Sequence, residues 1–255
     1  MSEAPVVANP WQVLRALTPA RIALGRAGAG LPTGALLEFG LAHARARDAV
    51  HAPLDADALD ADLRMQGVTP LRVHSAARDR GSYLARPDFG RRLDADSARR
   101  LDAARTAGAT AEIVVAIEDG LSSLAVQRHA QPLLAALRGL VPQRWTDIAV
   151  VVALQGRVAL GDEIGARLGA RLVVVLVGER PGLSSPDSLG IYLTHAPRVG
   201  RSDAERNCIS NVRPQGLGYA DAARRLDWLA GAALARGYSG VALKDDSDAA
   251  ALTAP

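Results

Sequence analysis

Residues 172–177, Leu-Val-Val-Val-Leu-Val, set six aliphatic side chains in a row with no charge and no turn former among them. A run this short, this β-branched and this evenly apolar fits a strand buried on both faces. Such strands belong to parallel sheets covered by helices on two sides, so the run constrains the whole chain to an α/β arrangement. It breaks at Gly178, and Glu179, Arg180, Pro181 and Gly182 follow at once. In open α/β sheets ligands bind just beyond the carboxyl ends of the strands, so a charged pair in that place is where function is expected.

The rest of the chain repeats the pattern. Residues 94–107 have the spacing of an amphipathic helix, 112–117 that of a strand, and 121–140 that of a helix with Pro132 as an expected kink or break. A strand over 147–154, a helix over 162–168, the central strand, a short strand over 189–193 and a long helix over 220–236 follow, with a last short strand at 240–243. Between the last two strands, residues 207–211 read as the end of a loop, and residues after 245 look frayed. Strands alternating with helices imply βαβ units and a mainly parallel, Rossmann-like sheet. The strand ends carry Glu118 and Asp119, then Arg157, then Glu179 and Arg180, which in a parallel sheet share one rim.

The first 66 residues are mostly helical and form a segment of their own ahead of an α/β domain over 67–255. Residues 1–9 resemble a disordered tail, and 11–17 a short helix stopped by Thr18-Pro19. Gly25, Gly28 and Gly30 lie close together, but Thr33 stands where a third dinucleotide-loop glycine belongs and no Gly-Lys-Ser/Thr follows. A flexible connection is the plainer reading. Thr33 is a candidate cap for a helix over 34–50 whose apolar face holds Leu36, Leu37 and Leu41, and Asp55 for one carrying Leu59 and Leu63. A strand is expected at 71–74. Residues 79–93, dense in Arg, Gly and Pro, are either a functional loop or a solvated connection with Tyr83 and Phe89 tucked on the core.

Composition excludes some partners. The 255 residues carry 30 basic and 27 acidic side chains, intermixed, with no basic tract for nucleic acid. Uncharged runs such as 148–154 fall far short of the about 20 residues a membrane helix needs. A single cysteine, Cys208, and no signal-peptide pattern point to the cytoplasm. Cys208 has no evident histidine partner, and by residue type alone it fits a buried structural position. His43, His51, His74, His129 and His195 show no metal-ligand spacing, and no nucleophile elbow occurs. The residues themselves describe a binding rim without a self-sufficient catalytic set.

Longer motifs carry a resemblance. Residues 177–223, VGERPGLSSPDSLGIYLTHAPRVGRSDAERNCISNVRPQGLGYADAA, are similar to the small (light) subunit of ethanolamine ammonia-lyase. So are GRAGAGLPTGALLEF at 25–39, HARARDAV at 43–50, YLARPDFGRRL at 83–93, DGLSS at 119–123 and QGRVALGDEIGARLGA at 155–170, all in family order from about residue 21 to 243. The resemblance implies an adenosylcobalamin-dependent lyase that converts ethanolamine to acetaldehyde and ammonia by radical chemistry begun at the cobalt–carbon bond. It implies a partner, the large TIM-barrel subunit, which holds the substrate, with cobalamin between the two chains and paired heterodimers building a larger hetero-oligomer. It also implies three cofactor contacts: Val158 in the GRV segment, Glu179 in GERPG and Cys208 in CISN. Some family members carry an N-terminal extension that directs them into a bacterial microcompartment, and a match beginning near residue 21 leaves little room for one here. Two other functions suit the bare pattern: a nicotinamide-dependent oxidoreductase, although Glu118-Asp119-Gly120-Leu121 is no glycine fingerprint, and a non-catalytic ligand-binding module.

Overall fold

The aliphatic runs stand side by side in one sheet of the computed structural model, which describes residues 6–109 and 111–248. A 3₁₀ helix, Pro10–Leu17, precedes α1 (Thr33–His51) and α2 (Ala56–Met65). Then come β1 (Leu71–His74), α3 (Arg80–Ala85), α4 (Ala95–Thr106), β2 (Ile113–Glu118), α5 (Ser123–Leu140) and α6 (Pro142–Trp145). The chain continues through β3 (Ala149–Leu154), α7 (Leu160–Leu168), β4 (Leu172–Gly178), β5 (Leu189–His195), β6 (Arg206–Val212) and α8 (Tyr219–Arg236).

The six strands lie in the order β1-β3-β2-β4-β5-β6. The first four run parallel, β5 runs against β4, and β6 runs against β5. An antiparallel neighbour needs no crossover helix, so a loop suffices between β4 and β5. The carboxyl ends of β1 to β4 thus meet the start of β5 and the end of β6 at one rim.

Every residue of β4 is buried because the sheet is covered twice. Val174 and Leu176 pack with Val126, Leu133, Leu226 and Leu229 of α5 and α8, while Val173, Val175 and Val177 pack with Leu101, Leu160, Ile164 and Leu168 of α4 and α7. Leu59 and Leu63 of α2 are fully buried in the first of these layers. On β5 and β6 the second face changes character. Ile191, Leu193 and Ile209 serve the first layer, whereas Tyr192, Thr194, Arg206 and Cys208 point the other way.

Several expectations are corrected. Residues 207–211 are not a loop end: they belong to β6, an outer strand in which exposed Cys208, Ser210 and Asn211 are interrupted by buried Ile209 and followed by buried Val212. Residues 240–243 form no strand but a 3₁₀ turn, Gly240–Ala242. There Gly240 has φ +87°, and the Asn207 side chain accepts its amide at 2.8 Å and donates to the Gly240 and Leu243 carbonyls, so that backbone is already bonded. Pro132 does not break α5, which keeps Leu133, Leu134 and Leu137 buried beyond it. Thr33 is not a cap but the first residue of α1, preceded by Pro32. The connection at 25–30 is a tight turn in which Ala27 and Gly30 exchange hydrogen bonds of 2.9 and 3.0 Å. Residues 79–93 hold α3 and a 3₁₀ turn, Phe89–Arg91, with Tyr83 buried. Of the expected tail, residues 1–5 lie outside the described residues, and Val7 bonds to Arg26 through both backbone groups. Beyond 245, Ser247 is buried and Arg225 donates to Asp248 at 3.1 Å, while 249–255 lie outside the described residues.

Candidate functional site

The rim is stitched together by the first residues past each strand. Asp119 follows β2 and accepts the amides of Gln155 at 2.9 Å and Gly156 at 3.0 Å, which ties β2 to the end of β3. Burial pushes the Asp119 carboxyl up, and those two amides and Arg80 pull it back. Arg80, at the start of α3, donates to the carbonyl of Val50 at 2.6 Å and of Gly120 at 2.8 Å. Arg157, past β3, donates to the Tyr83 carbonyl at 3.0 Å. The two guanidinium carbons sit 4.6 Å and 4.4 Å from the centroid of the Tyr83 ring, one arginine from either side of the chain order. Cation–π contacts of this kind fix long side chains that would otherwise roam. Burial drives the Tyr83 phenol well up, opposed chiefly by Arg157.

Glu179 follows β4. Its amide donates to the Ser188 carbonyl at 2.9 Å, and its carboxylate accepts the Ser188 hydroxyl. The Asn211 amide, at the end of β6, lies 3.4 Å from both carboxylate oxygens. Glu179 is therefore held at the junction of β4, β5 and β6 with part of its surface open. Arg180 beside it is exposed.

These residues enclose a cleft of about 370 Å³ whose walls include Tyr83, Arg157, Val158, Glu179, Arg180 and Tyr192. A second hollow of about 480 Å³ shares Arg157, Val158 and Tyr192 and continues toward Arg201 and Arg206. Arg206 on the wall of the second is held from behind by buried Asp162, at 2.6 and 2.7 Å. The groove as a whole is amphipathic: Arg201 and Arg206 are locked in ion pairs, whereas Arg180 is exposed and makes no ion pair among the described residues.

Of the three residues picked out by resemblance, Val158 and Glu179 line the same cleft. Cys208 does not line it. It sits on β6 opposite Tyr192, which does, and it is exposed with its sulfur 3.3 Å from the Ser210 hydroxyl. The buried position suggested by residue type is thereby corrected: neighbouring Ile209 takes the inward face of the strand, which leaves Cys208 the outward one. The chain's residue pattern did not reveal Tyr192, Arg80 or the stacking of Tyr83. Tyr192 had a signal, being the lone aromatic in an aliphatic strand and in step with Gly190 and Thr194 rather than Ile191 and Leu193. The stack had none, since it joins residues 74 apart.

Residues 8–244 match the family described as Ethanolamine ammonia-lyase light chain (EutC). Among curated proteins, the ethanolamine ammonia-lyase small subunit of Ralstonia nicotianae is 58% identical over 253 residues, 98% of this chain and 94% of the relative. The small subunit of Azotobacter vinelandii is 57% identical over 97% of this chain and 93% of its own length. That of Xanthomonas campestris pv. campestris is 54% identical over 94% and 89%.

Proposed function

This chain belongs to the ethanolamine ammonia-lyase light-chain family, and from that membership we propose that it is the small subunit of an ethanolamine ammonia-lyase whose cleft takes one side of adenosylcobalamin. The observation that carries the reading is the convergence of Val158 and Glu179 on one cleft at the strand ends, with Cys208 across the ladder from a third wall residue, Tyr192. When bound, adenosylcobalamin supplies the radical that starts the conversion of ethanolamine to acetaldehyde and ammonia.

The chemistry of the walls fits such a group. Cobalamin is a broad apolar ring edged with amides. Glu179 offers an acceptor to an amide N–H, Arg180 a donor to an amide oxygen or a phosphate, and Val158 and Tyr192 offer apolar surface. The cleft is too small to enclose it: at about 370 Å³ it is near the bottom of the roughly 300–1,000 Å³ that drug-sized ligands take, and cobalamin is far larger than those. A second chain must cover the rest, which agrees with a cofactor held between subunits.

The partner in this reading is the large subunit, and the hetero-oligomer is built from paired heterodimers. The helical segment ahead of residue 67 supports it, because Trp11, Val13 and Leu17 of the 3₁₀ helix and Leu36, Leu37 and Leu41 of α1 are all more than half exposed. The α/β domain after that segment carries the cleft. Among the described residues no helix is long and apolar enough to cross a membrane. The cytoplasmic location in this reading rests on the single cysteine of the sequence.

The test is an acetaldehyde assay on the chain co-expressed with its large subunit, with adenosylcobalamin and ethanolamine added and each component omitted in turn. Product only when both chains and the cofactor are present is expected. A complex that binds cobalamin without turning over ethanolamine would overturn the substrate, and the absence of both complex and corrin binding would overturn the reading entirely.

A further inference from the structure

Glu118 ends β2 and is completely buried. Neither of its carboxyl oxygens has a hydrogen-bond partner among the described residues. Its side chain fills a slot between two glycines. A methyl group on Gly156 would stand 2.9 Å from the Glu118 Cβ and 3.0 Å from its carboxyl carbon, and one on Gly161 would stand 3.6 Å from a carboxyl oxygen. The two glycines bracket residues 157–160, the turn that carries Arg157 and Val158 into the cleft. That turn rests on Glu118 as on a peg.

The charges around the peg come from four elements. Asp119 lies beside it at the end of β2, Asp162 faces it from α7, Arg206 from β6, and Tyr83 from α3 between Arg80 and Arg157. Two of the three carboxyls have partners. Asp162 takes both prongs of Arg206, and Asp119 takes the amides of Gln155 and Gly156. Glu118 has no cation and no well-placed amide, so it is the group that retains a proton when the three compete for charge. Burial first, then Asp119 and Asp162, hold its carboxyl well above the usual range, against a smaller pull from Arg206 and the Gly161 amide.

We propose that Glu118 is a positioning residue for the cleft: as a neutral acid it seats the turn between β3 and α7, and on losing its proton it unseats that turn together with Arg157 and Val158. The identity of what then leaves the cleft rests on the proposed function, whereas the seating does not. The sign follows from linkage. Between the ordinary glutamate value and its raised folded value, Glu118 binds more protons folded than unfolded. The seated turn is therefore at full stability on the acid side and loses it as pH rises through the raised value. A side chain of the same shape that cannot ionise removes that loss.

Hydrogen exchange of the amides of residues 155–160 tests this, in the full chain co-expressed with its large subunit, comparing wild type with Glu118→Gln from acid pH, below the ordinary glutamate value, to alkaline pH. Exchange is corrected for its ordinary acceleration by base. The wild type should lose protection by up to about tenfold per pH unit between the ordinary glutamate value and the raised one, and then level off, as one linked proton requires. Glu118→Gln should match it at the acid end and stay flat. Equal profiles in the two proteins overturn the proposal, and so does a variant already loose at the acid end. Should the glutamine variant not fold, Glu118→Met, apolar and of similar length, carries the same expectation. Hydroxocobalamin affinity, measured in parallel, should fall with pH in the wild type alone. If neither protein binds hydroxocobalamin at any pH, the cofactor reading fails and the exchange result still decides the role of Glu118.

Discussion

α1 and α8 are nearly the same length and both rich in alanine and arginine, yet they use their apolar residues in opposite ways. α8 buries six of its 18 residues against the sheet. α1 buries one of its 19, Ala49, and leaves Leu37 at 68% and Leu36 at 56% exposure. A helix gains most of its stability from packing an apolar face, so α1 has the residues for a contact that the described residues do not supply. Its carboxyl end is fastened, with Arg80 bonded to the Val50 carbonyl and the Ser123 hydroxyl to that of Ala52 at 2.6 Å. The sheet with its covering helices, α2 included, thus forms the packed body of the molecule, and α1 is tied to it at its carboxyl end with Leu36 and Leu37 turned out. Apolar content alone does not tell these two cases apart; the cover does.

The sharpest way to break that comparison is to attack the body. Arg206 and Asp162 are 2% and 1% exposed at their side chains, so Arg206→Ala strands a carboxylate in the interior. That should cost about 3–5 kcal/mol and lower the melting temperature by roughly 10 °C. Thermal unfolding followed by circular dichroism checks it, and a shift under about 2 °C would mean the body is not held as a self-sufficient unit. The amino-terminal segment should behave in the opposite sense. Trp11→Ser with Leu37→Ser should leave unfolding of the isolated chain within about 0.5 kcal/mol of wild type. Affinity for the large subunit, read by titration calorimetry, should fall by roughly thirtyfold, the worth of one hot-spot anchor. If the pair destabilises the chain and spares the complex, the two regions have exchanged roles.

The same contrast governs what the sequence makes legible. β4 and β2 are readable because burial on both faces leaves a uniform aliphatic signature. β6 is not, because a strand with one inward face and Arg206, Cys208 and Ser210 on the other has the composition of a loop. The apolar face of α1 is visible as a pattern, but a pattern states what is to be covered and not by what. At the site, Val158 and Glu179 are reachable from strand ends and family motifs, and their convergence on one cleft follows from parallel topology. The Arg80–Tyr83–Arg157 stack is beyond reach because it depends on α3, a six-residue helix in a stretch that looks like a connection.

Within the cleft the comparison narrows to a held charge against a packed side chain. Glu179 is fixed by Ser188 and approached by Asn211, so its carboxylate is oriented before any ligand arrives. Glu179→Ala removes one charge-assisted hydrogen bond and should weaken hydroxocobalamin binding to the two-chain complex by about tenfold to a hundredfold, as spectral titration would read. Unchanged affinity would remove Glu179 from the site.

Val158 should matter least. Its carbonyl is already engaged by the Gly161 amide at 3.3 Å, inside the turn that opens α7. What remains for a ligand is a half-buried isopropyl group packed on the layer formed by α4 and α7. Val158→Ala trims two methyl groups from a wall without leaving a polar atom unpaired, which is worth at most about 1 kcal/mol and hence under about fivefold in affinity. The same titration decides it. A loss approaching that of Glu179→Ala would show that the wall at Val158 sets the shape of the cleft. The held carboxylate would then be the lesser contact, and the order of the two predictions would reverse.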